Sequence, residues 1–390
     1  MVSIGLTVVV VAENLASKTS KSVELVQIKQ ICLPAHIKVS LSICSVIAAL
    51  LYFNEIWKIS LVHSMLVGEA IASIKEDYSS FEEQFNPFVR QGYKAVMAIA
   101  YVFTYIFVNN YIICQQKFRT SFWYIIPLFS GICINLISGS RGDMLRLVLL
   151  FIFVYYICQW QKNGWKKQPT IKVLKIAIPA ISIMLMVFFL ARLFVKIDIE
   201  SQEKIGGPIE YLSYYVASPL QIFNIHTKQL SDNPNANSNV PFAYCTMNGV
   251  YDFLKKQGVL KKTEIKSPKV GFGFEYVGGD SNAAGNVDTF FSQSKLDFGI
   301  LGMCIYTIVI YYLISKYFYT HILYKDMTCI SVRKFLKFSF FFYIVEMSFY
   351  ADCTGQILSQ TGVLQYICLL FLINYLIVPK YFKPIILKHK

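Results

Sequence analysis

Long runs nearly free of charge alternate along the chain with short polar stretches. A hydrocarbon core of about 30 Å is crossed by roughly 20 apolar residues in a helix. Eight runs approach or reach that length: 36–53, 92–114, 121–138, 143–160, 171–194, 297–315, 335–350 and 361–378. The pattern predicts an all-α polytopic membrane protein with about eight transmembrane helices and one large external loop, because a spanning backbone must satisfy its own hydrogen bonds. The run at 335–350 is the least regular, with Lys337 near its start and Glu346 inside it.

Met1 to Ala12 is apolar as well, but as a helix it would rise only about 18 Å. No positive residue precedes it as in a signal peptide. Two readings stay open: the end of a helix begun earlier, or a segment resting on the membrane surface. The chain then divides into an N-terminal stub and cytoplasmic segment (1–35), five helices (36–194), the external loop (195–296), three helices (297–378) and a basic tail (379–390).

The charges test this layout independently, since lysine and arginine gather in the cytoplasmic short loops. One set of segments holds twenty of them, from Lys18 and Lys38 through Lys117, Arg119, Lys166 and Lys325 to Lys390. The opposite short loops hold four: Lys58, Lys75, Arg90 and Arg141. Both termini are therefore expected in the cytoplasm, and the 195–296 loop outside. A hydrophobic share of 55% with 15% charged residues and a mean hydropathy of +0.48 exclude a soluble enzyme, a disordered chain and a small disulfide scaffold. The net charge of +14 is then the sum of retained cytoplasmic cations, and no nucleic-acid partner is implied. Of the ten cysteines, Cys245 and Cys353 are placed outside, and the layout allows a disulfide between them. No CxxC spacing points to a metal or redox site.

No repeated pair of interrupted spans, as a transporter would show, is present. The unusual polar residues cluster instead at the expected outer ends of helices and in the long loop. Ser138-Gly139-Ser140-Arg141-Gly142-Asp143 is a tight turn between two spans that presents one arginine. It reads either as a bland hairpin with a snorkelling side chain or as a guanidinium fork for a phosphate or diphosphate. Arg146, one turn into the next helix, would be an intramembrane charge that needs a partner, and Asp143 is the nearest candidate. Arg192, near the outer end of 171–194, invites the same two readings.

The tyrosine-rich stretch Gly206 to Leu220 is too interrupted to span. Its rings, Tyr214 and Tyr215 among them, suit core packing, an interface or sugar faces. Gly271 to Asn282 has phosphate-loop glycines but no Gly-Lys-Ser/Thr, and its glycines read as turns. Asp297 stands at the outer start of the 297–315 run, where a carboxylate caps helix donors. As a base, His226 has a titration range suited to a sugar hydroxyl. Asp280 and Asp297 are the other candidates for that role.

Three passages give the sequence a family likeness: Ile137-Ser138-Gly139-Ser140-Arg141-Gly142, Tyr214-Tyr215-Val216-Ala217-Ser218-Pro219-Leu220, and Asn286-Val287-Asp288-Thr289-Phe290-Phe291 followed by Leu296-Asp297-Phe298-Gly299-Ile300-Leu301-Gly302. With these the chain resembles the O-antigen polymerase (Wzy-type) oligosaccharide repeat-unit polymerases. The last passage is similar to the family's Asn-x-Tyr-Thr and Asp-x-Gly-x-x-Gly pattern, with Asp288 in place of the aromatic residue.

The resemblance implies glycosyl transfer at the outer face of a bacterial cytoplasmic membrane. Donor and acceptor would be undecaprenyl-diphosphate-linked oligosaccharides, growing into O-antigen, capsule or exopolysaccharide. It also implies a chain-length regulator and a flippase of the same pathway as partners. On this reading Arg141, Arg146 and Arg192 bind diphosphate, Tyr214, Tyr215, Asn286 and Thr289 contact glycan, and His226, Asp280 or Asp297 takes the proton. No metal or cofactor is demanded, since fixed arginines supply the counter-charge. The rival readings are an O-antigen ligase-type enzyme with the same leaving group and, in another class, a lipid-linked oligosaccharide flippase.

Overall fold

The computed structural model describes residues 2–17, 29–76, 85–194, 208–233, 240–260, 289–348 and 353–384, with 237, 270, 275–276, 284–285 and 351. Among these, six helices are long and apolar enough to cross a membrane, which is the build of an all-α polytopic membrane protein. They are α2 (Ala35–Val62), α4 (Pro87–Phe107, extended by a π-helical turn, Val108–Ile113), α5 (Phe118–Ile137), α6 (Arg141–Lys162), α7 (Thr170–Phe194) and α10 (Phe290–His321). The other helices are α1 (Val2–Ser17), α3 (Val67–Glu76), α8 (Pro208–Asp232), α9 (Asn248–Lys256), α11 (Cys329–Glu346), α12 (Thr354–Leu358) and α13 (Gln360–Leu376). The expected runs at 335–350 and 361–378 fall on α11 and α13, helices of 18 and 17 residues.

The chain divides into two compact units. The first comprises residues 20–197, 320–340 and 365–390, and the second residues 1–19, 198–319 and 341–364.

In the first unit α4 is the core. Val96 to Val108 are buried at every position, as befits a helix that is apolar on all sides. Its start is built locally: the Asn86 side chain accepts from Phe88 N at 2.9 Å, and Pro87 fills the first helical position, where a missing N–H is harmless. Helices α2, α5 and α6 pack against it. The π-helical turn at its end places Asn109 and Asn110 inward, both fully buried.

These two amides serve as a strand. Asn110 Oδ1 accepts from Ile31 N at 2.9 Å and Nδ2 donates to Ile31 O at 2.6 Å, while Asn109 Nδ2 donates to Lys29 O at 2.9 Å. On its other edge β1 (Lys29–Ile31) pairs antiparallel with β4 (Phe382–Pro384), Ile31 opposite Phe382. Segments from the two ends of the chain are thus zipped together beneath α4, with every buried backbone group of Ile31 engaged.

In the second unit α1 runs parallel to α10. A side chain at Gly5 would come within 2.9 Å of the Tyr311 ring, and Tyr319 OH donates to Glu13 Oε2 at 3.4 Å. The N-terminal run is thus helical and lies along α10. Helices α9 and α12 meet where Gly249 lies against the Gly355 carbonyl, a contact that leaves no room for a Cβ. Cys245 and Cys353 are buried and not joined to each other, so the disulfide that the layout allows is not formed.

Replacing Asn110 by Ala removes both bonds to Ile31 and strands its amide and carbonyl, a loss of about 2–4 kcal/mol. Thermal unfolding of the solubilised protein should show a Tm lower by roughly 5 °C; a Tm within a degree of the parent would refute the strand role.

Candidate functional site

The turn between α5 and α6 is shaped by its own backbone. Ser138 N donates to Ile134 O at 2.8 Å, and Ser140 N to Asn135 O at 2.9 Å. Gly139 sits at φ 68°, a left-handed conformation open to glycine. Side chains then brace it from both flanks. Asp143 Oδ2 accepts from Ser140 Oγ at 2.8 Å and lies 3.3 Å from Tyr93 OH. The same hydroxyl donates to Asn135 Oδ1 at 2.8 Å. A carboxylate in the first turn of α6 is also favoured by the positive end of the helix.

One turn further, Arg146 is buried at 5% exposure. Its Nε donates to Tyr101 OH at 2.6 Å, and Nη1 reaches Gln365 Oε1 at 3.5 Å. The guanidinium carbon lies 5.3 Å from the Tyr101 ring centroid and 4.7 Å from that of Phe340. Two aromatic faces and two polar side chains therefore cradle the cation, an arrangement that compensates part of its lost hydration. Asp143, the partner expected for Arg146, hydrogen-bonds to Ser140 in the turn and to Tyr93 on α4.

A second basic side chain of the first unit, Lys94, is buried at 6% exposure.

Arg141 is the first residue of α6, and Arg192 lies in the last turn of α7. The short link at 163–169 and the packing of α6 on α7 make the two helices antiparallel neighbours. Arg141 and Arg192 therefore start from the same end of the unit. Their side chains, and those of Tyr214 and Tyr215, lie outside the described residues, as do Asp280 and Asn286 altogether.

In the second unit His226 is buried on α8, at 3% exposure. Its neighbour Thr227 accepts from Lys295 Nζ at 2.6 Å, and that ammonium lies 4.9 Å from the Phe223 ring centroid. Thr289, expected at a glycan surface, is buried at 2% exposure, and its hydroxyl has no hydrogen-bond partner among the described residues.

The expected helix start at 297 is corrected: α10 begins at Phe290 and breaks at Gly299 (φ 69°, ψ −171°), a conformation reserved for glycine. The hydrophobic pattern found the apolar run but not the polar turns that precede it. Asp297 is still a cap, though of another segment. It accepts from Cys245 N at 2.9 Å, Thr246 N at 2.7 Å and Thr246 Oγ1 at 2.8 Å. Three donors occupy the carboxylate and pin the 243–247 turn to α10.

Lys94, Tyr93, Tyr101, Gln365 and Lys295 were not among the candidates read from sequence. For the first three a signal exists: Tyr93 and Tyr101, eight residues apart on one helix face, and Lys94 carry polar atoms inside an otherwise apolar run.

Asp297→Asn turns an NH2 toward the donors of the 243–247 turn and should weaken its hold by about 2 kcal/mol. Limited proteolysis should then cut within 240–247 faster than in the parent chain, and an unchanged rate would refute the anchoring role. No family model, no curated protein and no solved structure matches the chain.

Proposed function

We propose that the protein polymerises undecaprenyl-diphosphate-linked oligosaccharide repeat units by glycosyl transfer at the outer face of a bacterial cytoplasmic membrane, its termini in the cytoplasm. The observation that carries this reading is Arg146: a guanidinium at 5% exposure beneath a braced turn that opens onto Arg141. A buried charge of this kind is expensive to keep, and binding an anionic headgroup gives it a purpose. The likeness of the Ser138–Gly142 turn to repeat-unit polymerases supports the same conclusion.

In the proposed reaction an acceptor sugar hydroxyl attacks the anomeric carbon of the donor glycan. A C–O bond forms to the acceptor oxygen while the bond from the anomeric carbon to the diphosphate oxygen breaks. The hydroxyl proton passes to a general base, for which His226 is the first candidate and Asp280 and Asp297 follow. Arg141 and Arg192, with Arg146 behind them, carry the charge of the departing lipid diphosphate. Tyr214, Tyr215, Asn286 and Thr289 are proposed on the glycan side, and a chain-length regulator and flippase are the proposed partners.

Arg141→Ala and Arg192→Ala should leave the protein in the membrane and lower chain growth by about 100-fold or more. Electrophoresis of surface glycan should show single repeat units in place of a ladder. Full-length polymer from both variants would sink the diphosphate role. Deletion of the gene separates the classes: display of single units supports a polymerase, and loss of all display points to a ligase or flippase.

A further inference from the structure

Within the first unit, the short helix α3 forms a cap on the end of α2 and the start of α4. Ala70 and Ile74 are buried in a small core with Ile56, Ile59 and Phe85. Glu55, at 7% exposure, fastens that core: Oε2 accepts from Asn86 N at 3.1 Å and Oε1 pairs with Lys58 Nζ at 2.8 Å.

Two lines of contact lead from the cap to the Ser138–Ser140 turn. Ile137, the residue before the turn, packs directly against the cap core. The second line runs through aromatic rings. The Tyr52 ring centroid lies 5.2 Å from that of Phe85 and 6.2 Å from that of Tyr93. The Tyr93 hydroxyl then reaches Asn135 before the turn and Asp143 after it, and Asp143 holds Ser140. One hydroxyl thus links both flanks of the turn, and its ring rests on the side chain that touches the cap.

We infer that Tyr93 is a positioning residue that couples the α3 cap to the turn carrying Arg141, so that a shift of the cap is felt at the turn through the Tyr93 hydroxyl. The physical basis is the loss that follows its removal. The single phenolic proton serves the Asn135 amide oxygen at 2.8 Å, with the Asp143 carboxylate 3.3 Å from the same oxygen; without it the fully buried Asn135 loses that donor and Asp143 loses its polar neighbour on α4. The turn would then be held by its backbone bonds, the Ser138 and Ser140 hydroxyls and the packing of Ile137. The use made of this coupling rests on the proposed function, since the turn matters there because Arg141 follows it; the coupling itself does not.

The test uses the full-length protein solubilised in detergent. Ser138→Cys is labelled with a maleimide, and the rate is read by mass spectrometry on its own peptide, apart from the native thiols. Lys117→Cys, at the other end of α5, is the control. Tyr93→Phe keeps the ring and removes the hydroxyl; it should speed labelling at 138 by about fivefold and leave the control unchanged, and Ser140→Ala should give part of the same change. Ile74→Ala in the cap should also speed labelling at 138, and by a clearly smaller factor when Tyr93→Phe is already present.

An unchanged rate in Tyr93→Phe, an equal rise at the control, or effects of the two substitutions that simply multiply would each overturn the coupling. Glycan ladders are scored separately on Arg141→Ala. Coupling with an intact ladder removes the proposed function and leaves the inference standing, and a lost ladder without coupling does the reverse.

Discussion

Burying a polar group away from water is affordable only when the protein itself supplies the partners, and in a chain built of membrane-length helices this constraint governs every polar residue of note. Both polar atoms of the Asn110 amide and the Asn109 amide nitrogen are matched to the backbone of β1. The Arg146 guanidinium lies between two aromatic faces, with hydrogen bonds to Tyr101 and Gln365. The Asp297 carboxylate takes three donors from one turn. Each cluster serves at once as a joint in the fold and as the reason a hydrophilic residue persists in apolar surroundings.

The clusters differ in what they leave available. Those around Asn110 and Asp297 are hydrogen-bonded to other segments of the chain and act as joints in the fold. In the first unit Arg146 and Lys94 are both buried basic side chains, and Asp143 hydrogen-bonds to Ser140 and to Tyr93. The proposal of an anionic ligand at the turn end of the first unit rests on the buried Arg146 guanidinium. The glycosyl-transfer reading follows from that expectation together with the likeness of the turn to repeat-unit polymerases.

The second unit shows how much a single break changes the meaning of a residue. Read along the chain, Asp297 marks the start of an apolar helix. In the structure the helix is already underway from Phe290 and breaks at Gly299, so the carboxylate leaves its own helix and captures Cys245 and Thr246, some fifty residues earlier. Lys295 ties the same helical piece to α8 through Thr227. Capping chemistry was the right expectation for a carboxylate at such a place, and the identity of the capped segment lay beyond local reading.

Class and helix positions were legible in the sequence because both rest on local quantities. An apolar run of spanning length has few alternatives to a helix, and the runs at 36–53, 92–114, 121–138, 143–160 and 171–194 lie within α2 and α4–α7 to within a residue or two. The turn at Ser138–Gly142 was legible for the same reason, since glycine and serine between two such runs leave little else. Which side chains surround Arg146 was not: Tyr101, Phe340 and Gln365 lie 45, 194 and 219 positions away in the sequence. No periodicity in one helix reports which face of another it meets. Helix packing alone brought those groups together, because the contacts that stabilise a buried charge are set by side-chain interdigitation across the bundle.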